Sequence, residues 1–416
     1  MFNTATSQAN HKLHIPVGIR FECTRCANCC LSWPVPLNEA DVKRLVGAFN
    51  CSESELPVSF LSPMEKKAGL AGFSRALEKR PDGRCSYLSE TACTLQDIAK
   101  PAMCQLFPYS FIDTPDGTFV GLSFASTGVL QNSGKLLLEQ NEQLAAMLGL
   151  FRDLFPDLEK ETSEAFNHLN LIDGVSLSYE QFKAIEAPLI ADLENAVLAS
   201  SSSGYAGKSA LEILGSFSQS LAQFVPKGTW RNRLPGSDAR PRQIDLYILD
   251  ALGQAYIEPQ SKGQLLDDMQ IAQSVTSNLL APAAGFKLRL NGSSFSAVQF
   301  LDEKKLGAFD QACENLLLRF VYVRIFSKMY FGPGFSGLSI VAGIGHLIAV
   351  LALVRLSAKA KKFDDSFEVN LPWLIDTVRQ VDSKLTSARY GANTQAMLEI
   401  LFLDQERVQR LIDLCA

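Results

Sequence analysis

The sequence predicts an α+β protein: a small cysteine-rich N-terminal module followed by a mostly α-helical body. Three observations predict it. Eight of the ten cysteines lie between Cys23 and Cys104. That same stretch mixes one amphipathic helix pattern with strand-like runs and turn signals. Beyond about residue 134 the periodicity becomes helical almost to the end.

At 416 residues the chain exceeds one average domain, and a hydrophobic content of 47% with 20% charged residues describes a globular protein. The expected organisation is a cysteine module over 1–133, a helical segment over 134–199 and a helical C-terminal domain over 205–416. The formal charge of −5 argues against nucleic acid as a partner, because phosphate binding needs a clustered basic surface. No basic region followed by an apolar run opens the chain, so a cytoplasmic, reducing location is expected, where close-set cysteines are metal ligands more often than disulfides.

Within the module, Leu37-Asn38-Glu39-Ala40-Asp41-Val42 reads as a helix start. Asn38 caps, Asp41 answers it from the third helical position, and Leu37 staples onto Val42. Val42, Leu45, Val46 and Phe49 then share one helical face. Pro81-Asp82-Gly83 and Pro115-Asp116-Gly117 are turn signals, and the second joins Tyr109–Ile112 to Thr118–Phe124 in an expected β-hairpin. In the body, helices are expected over Leu136–Leu154 and Ser178–Ala199, the latter with a Ser178/Gln181 capping box. Others are expected near Gln243–Tyr256, Leu306–Phe331, Phe335–Lys359, Leu371–Ser387 and Ala396–Leu414. Ser200–Gly204 and Val225–Gln243 read as a linker and an irregular stretch.

The strongest chemical signal is Cys23-x-x-Cys26-x-x-Cys29-Cys30. Two-residue spacers let successive thiolates turn back toward one point, as metal knuckles require. Thiolates are soft ligands that select zinc or iron–sulfur clusters over magnesium or calcium. Cys85, Cys93 and Cys104 form a second set, and these seven thiols exceed the four that one zinc or one cubane needs. With cysteine as the evident ligand type and no histidine at finger spacing, an iron–sulfur cluster (4Fe–4S) is favoured, with Zn2+ as the alternative. Cys51, Cys313 and Cys415 read as buried thiols.

The run Phe21–Leu45, with F-x-C-x-x-C-x-x-C-C and then L-N-E-A-D-V-K-R-L, resembles the YkgJ family, the zinc- or iron-chelating CxxCxxCC domain. Gly83–Leu88, Cys93–Leu95 and Lys100–Pro108 are similar to that family's later elements. The resemblance implies metal chelation through Cys23, Cys26, Cys29, Cys30, Cys85, Cys93 and Cys104. More distantly, the Cys30-Leu31-Ser32-Trp33 step and the long apolar helices from Glu314 onward resemble the flagellin lysine N-methylases (FliB). That resemblance implies an enzyme, a protein-lysine N-methyltransferase, with S-adenosylmethionine as donor and flagellin as protein substrate. Ala125-Ser126-Thr127-Gly128 stands where a further cysteine of that group is expected. A third reading is a non-catalytic, zinc-stabilised interaction protein.

Three other features take ordinary readings. Gly332-Pro333-Gly334-Phe335-Ser336-Gly337 fits a GxGxxG string, but a helical stretch precedes it where a nucleotide site needs a strand, so it reads as a break between helices. The uncharged run 335–354 is long enough to span a bilayer, yet His346 and its serines suit a core helix better, with His346 as a hydrogen-bonded core residue. Lys227, Trp230, Arg231, Arg233, Arg240 and Arg242 read as a solvated basic loop, while His11, His14 and His168 lack partners at ligand spacing.

Overall fold

A computed structural model describes residues 12–29, 35–61, 72–90, 92–200, 207–226, 243–257, 287–290, 293–296, 309–364, 369–388 and 390–415. The chain forms two compact units, and the fold is α+β. One unit comprises Ile19–Phe111 and Leu122–Glu161; the other comprises Met1–Gly18, Ile112–Gly121 and Thr162–Ala416. Neither is a single stretch of chain, which differs from the consecutive segments 1–133, 134–199 and 205–416 expected from composition. The hairpin tip at 112–121 makes its contacts with the helical unit, and the helical run up to Glu161 makes its own with the cysteine-rich one.

In the cysteine-rich unit, Pro36–Leu37, Arg75–Leu77 and Val58–Phe60 form a three-stranded antiparallel sheet with the 75–77 strand central. The Glu39–Phe49 helix begins as its residues predict. The Asn38 side chain accepts from the Asp41 N–H at 2.8 Å, and the Asp41 carboxylate accepts from the Asn38 N–H. Leu37, Val42 and Leu45 are buried in one core with Val35, Leu56, Leu77, Leu88 and Leu95. Phe49, on the same helical face, is 42% exposed and meets the core through the Tyr87 ring. The expected Leu136–Leu154 helix opens instead with a 3-10 turn at Leu137–Glu139, and the α-helix proper runs Asn141–Leu154. Gln140 has a non-helical backbone between them, and its amide serves the carbonyls of Phe21, Lys135 and Leu136.

The expected hairpin is present as Tyr109–Thr114 and Gly117–Leu122. Gly117 takes φ +137°, a conformation that side chains disfavour, and the Thr114 hydroxyl donates to its carbonyl at 2.9 Å. Leu13–His14 adds a parallel strand against Thr118–Phe119.

The helical unit is built on two helices buried nearly all round, Gln311–Phe326 and Ile340–Asp364. The first packs on Tyr179–Ser200. The second packs on Ala210–Leu221, Ala392–Phe402 and Gln405–Asp413. A helix apolar on every face belongs in a core of this kind. Ile340–Asp364 is the one helix among the described residues with the length and composition to cross a membrane, and its residues 340–360 are buried within the unit. His346 lies in its second turn, with the hydroxyls of Tyr390 and Tyr256 at 2.9 and 3.1 Å from Nε2. Burial lowers its pKa to about 3, with the Arg324 charge adding to the effect.

The glycine string is a break between these two helices. Gly332–Gly334 is a 3-10 turn, and Gly332 has φ +49°. A Cβ at Gly334 would run into the Lys328 carbonyl. Ser178 and Gln181 make the expected reciprocal cap, at 2.9 and 3.2 Å. The expected Ala396–Leu414 helix is two helices, Ala392–Phe402 and Gln405–Asp413, because Asp404 caps the second. The linker after Ser200 and the basic residues Lys227, Trp230, Arg231, Arg233, Arg240 and Arg242 lie outside the described residues.

Candidate metal centre

Both cysteine sets belong to the cysteine-rich unit. Cys23, Cys26 and Cys29 lie on a loop whose start is clamped at residues 20–22. The Phe21 N–H donates to the Lys135 carbonyl at 3.1 Å, and the Arg20 N–H donates to Asn132 Oδ1 at 2.7 Å. At Glu22 the clamp is steric. A Cβ on Gly128 would strike the Glu22 carbonyl, and one on Gly134, which has φ +90°, would strike the Glu22 side chain. Arg25 and Ala27 take φ +55° and +60°, a left-handed conformation rare outside glycine. Two left-handed residues within seven coil the loop, and Cys23, Cys26 and Cys29 all line one cavity. Thr127 fixes the coil: its Oγ1 accepts from Cys26 Sγ and from Asn28 Nδ2, each at 3.0 Å.

The second set hangs on the core. Backbone β-bridges pair Cys85 with Lys79 and Cys93 with Leu88, so residues 79–90 and 92–94 form a small irregular ribbon. Within it the Leu88 N–H donates to the Cys85 carbonyl at 3.0 Å, and the Thr94 N–H to the Tyr87 carbonyl at 2.9 Å. Cys104 sits on the short Ala102–Leu106 helix. The first N–H of that helix, from Ala102, donates to Asp41 Oδ1 at 2.9 Å. Asp41 is 1% exposed, so one buried carboxylate joins the start of the Glu39–Phe49 helix to the segment bearing Cys104.

These two sets line one cavity of about 840 Å³, entirely inside the cysteine-rich unit. Cys23, Cys26 and Cys29 contribute to its wall with Cys85, Cys93 and Cys104, and no histidine is among the described residues lining it. Cys85 is buried, Cys29, Cys93 and Cys104 are half-buried, and Cys23 and Cys26 are exposed. Among the described residues, no three His, Cys, Asp or Glu side chains stand close enough together to hold one ion. The structure therefore gathers six of the seven expected ligands around a shared space without converging them on a point. Cys30 lies outside the described residues. The donor set, all sulfur, suits zinc or iron and not a hard cation.

Two phenols border this region. Burial pushes Tyr109, on the cavity wall, up to about 12, and Gln143 Nε2 donates to its hydroxyl at 3.2 Å. Tyr87 is likewise pushed up to about 12, by burial first and then by the sulfurs of Cys51 and Cys85. Cys51 packs half-buried against the same core as Tyr87. Cys313 and Cys415 are core thiols as expected, raised to about 12 by burial. Sequence reasoning passed over Thr127, Tyr87 and the second duty of Asp41. For Thr127 a signal existed: it occupies the segment in which a further cysteine was expected.

Searches of curated proteins and of solved structures find no match to the chain. Residues 22–129 match the CxxCxxCC family model, described as "Putative zinc- or iron-chelating domain", which classes the cysteine-rich module, 108 of 416 residues, and leaves residues 130–416 unassigned.

Proposed function

We propose that the cysteine-rich unit holds an iron–sulfur centre of the 4Fe–4S kind, in the manner of the YkgJ proteins. Its ligands are drawn from Cys23, Cys26, Cys29, Cys30, Cys85, Cys93 and Cys104. The observation that carries this reading is the wide cavity: six thiols surround about 840 Å³, yet among the described residues no three could share a single ion. One tetrahedral zinc, with Zn–S of about 2.3 Å, draws its sulfurs to within about 4 Å of each other. A cluster sets its ligands farther apart, around a core of its own.

When bound, such a cluster supplies a cross-link between two distant stretches of chain and a one-electron couple. The residues' own part is to present thiolates. The left-handed Arg25 and Ala27 aim one set, the Asp41-capped helix positions Cys104, and Tyr109 stays protonated beside them. Thiolates of this exposure suit a reducing compartment, the cytoplasm.

The flagellin-methylase expectation gains no support from the comparisons. The glycine string that invites a nucleotide-like reading is a break between two helices. Anaerobic purification of the full chain, with elemental analysis and a visible spectrum, tests the proposal. Iron, acid-labile sulfide and a broad thiolate-to-iron band are the expected result; stoichiometric zinc in a colourless protein overturns it.

A further inference from the structure

Tyr87 carries a buried hydroxyl that has no hydrogen-bond partner among the described residues. Everything else about the residue is fixed. Its carbonyl accepts from both the N–H and the hydroxyl of Thr94, and its ring lies 5.4 Å from that of Phe49. Tyr87 is 9% exposed, so solvent does not meet the need either. An unsatisfied buried hydroxyl destabilises a fold, and one that persists calls for an explanation such as an absent ion.

The surroundings supply one. Tyr87 shares its core with Cys85, and Cys51 packs against that core. Cys85 lies two residues before Tyr87 in the chain and is itself buried. A thiol is a poor acceptor, whereas a metal-bound thiolate is a charged one. We propose that Tyr87 is a positioning residue of the thiolate centre, its hydroxyl donating to the Cys85 sulfur once that sulfur ligates metal. This rests on the reading of the unit as a metal-binding domain. Cys51 is then a neighbouring thiol and not a ligand. Outer hydrogen bonds to ligating atoms hold them in place and strengthen metal retention.

The substitution Tyr87→Phe in the full chain keeps the ring and deletes only the hydroxyl. In metal-free protein it is expected to leave Tm unchanged or to raise it, because an unsatisfied group is removed. In loaded protein it is expected to speed metal transfer to a competing chelator roughly tenfold and to shift the visible thiolate band. A fall in metal-free Tm would mean that the hydroxyl is satisfied without metal, and overturns the proposal. Unaltered retention and an unaltered spectrum in Tyr87→Phe, beside a wild type that holds metal, overturn the role of Tyr87 alone. A wild type that takes up no metal overturns both this role and the metal-centre reading beneath it.

Discussion

The thiol of Cys26 donates to the hydroxyl of Thr127 at 3.0 Å, across a sequence separation of 101 residues. The same oxygen accepts from Asn28, so one small side chain pins the coiled loop to the segment after the hairpin. Thr127→Val keeps the shape and removes the acceptor. It is expected to destabilise the cysteine-rich unit by about 1 kcal/mol, since two donors lose one partner. Alkylation of Cys26 in metal-free protein should become faster, while Thr127→Ser should behave as wild type. Equal alkylation rates in all three would show that Thr127 does not hold the loop.

Asp41 sits between two helices. It closes the capping box with Asn38, pairs with Arg44, and accepts from the Ala102 N–H that starts the helix of Cys104. Asp41→Ala leaves a buried N–H and a helix start unsatisfied, and a loss of about 3 kcal/mol is expected in urea unfolding. Asp41→Asn keeps an oxygen acceptor and should lose less. Amide hydrogen exchange at 102–106 should rise in Asp41→Ala. Protection at that helix equal to wild type would detach Asp41 from the positioning of Cys104.

Much of this was legible in the sequence, and the division is physical. Asn38 with Asp41, Ser178 with Gln181, and the Pro115–Gly117 turn are local devices whose partners lie within a few residues, so spacing alone reveals them. The glycine string was legible as a break because what precedes it is helical. Asp404, a local cap, was missed inside the run expected as one helix from Ala396 to Leu414, where continuous apolar periodicity hid it. The Thr127–Cys26 and Asp41–Ala102 bonds were not legible, because neither residue type announces a partner 60 or 100 positions away. The two-unit division was hidden for the same reason: contacts place 112–121 apart from its sequence neighbours.

If thiols from both sets serve one centre, removing one from either set should act on the same pool of metal. Cys26→Ala and Cys104→Ala are each expected to lower bound metal and to loosen the first 110 or so residues, read as faster limited proteolysis there. Cys313→Ala, in the helical unit, should leave metal content unchanged because its thiol is buried in an apolar core and raised to about 12. Metal content equal to wild type in Cys26→Ala would remove Cys26 from the ligand list. Metal lost only in the Cys104 variant would mean that the exposed loop does not share the centre.

His346 gives the helical unit a sensitivity to acid that is separate from the thiols. In the fold it is held neutral, with its pKa near 3 against an ordinary 6.5, because burial and the Arg324 charge both oppose protonation. A base with a depressed folded pKa contributes stability that is present above 6.5. That contribution is lost as the pH falls, at about 1.4 kcal/mol per pH unit until about 3. Asp116 is different. Burial alone would raise its pKa, but hydrogen bonds from Tyr179, Lys183 and Thr114 outweigh it and hold it at about 2, so its contribution is lost only below the ordinary 3.8. The two windows do not overlap between pH 6 and 4. His346→Gln is therefore expected to be less stable than wild type at pH 7, since it disturbs the contacts with Tyr256 and Tyr390, and to lose less on going to pH 5. Urea midpoints at the two pH values measure this directly. Parallel losses in wild type and variant would mean that His346 takes no part in the acid response.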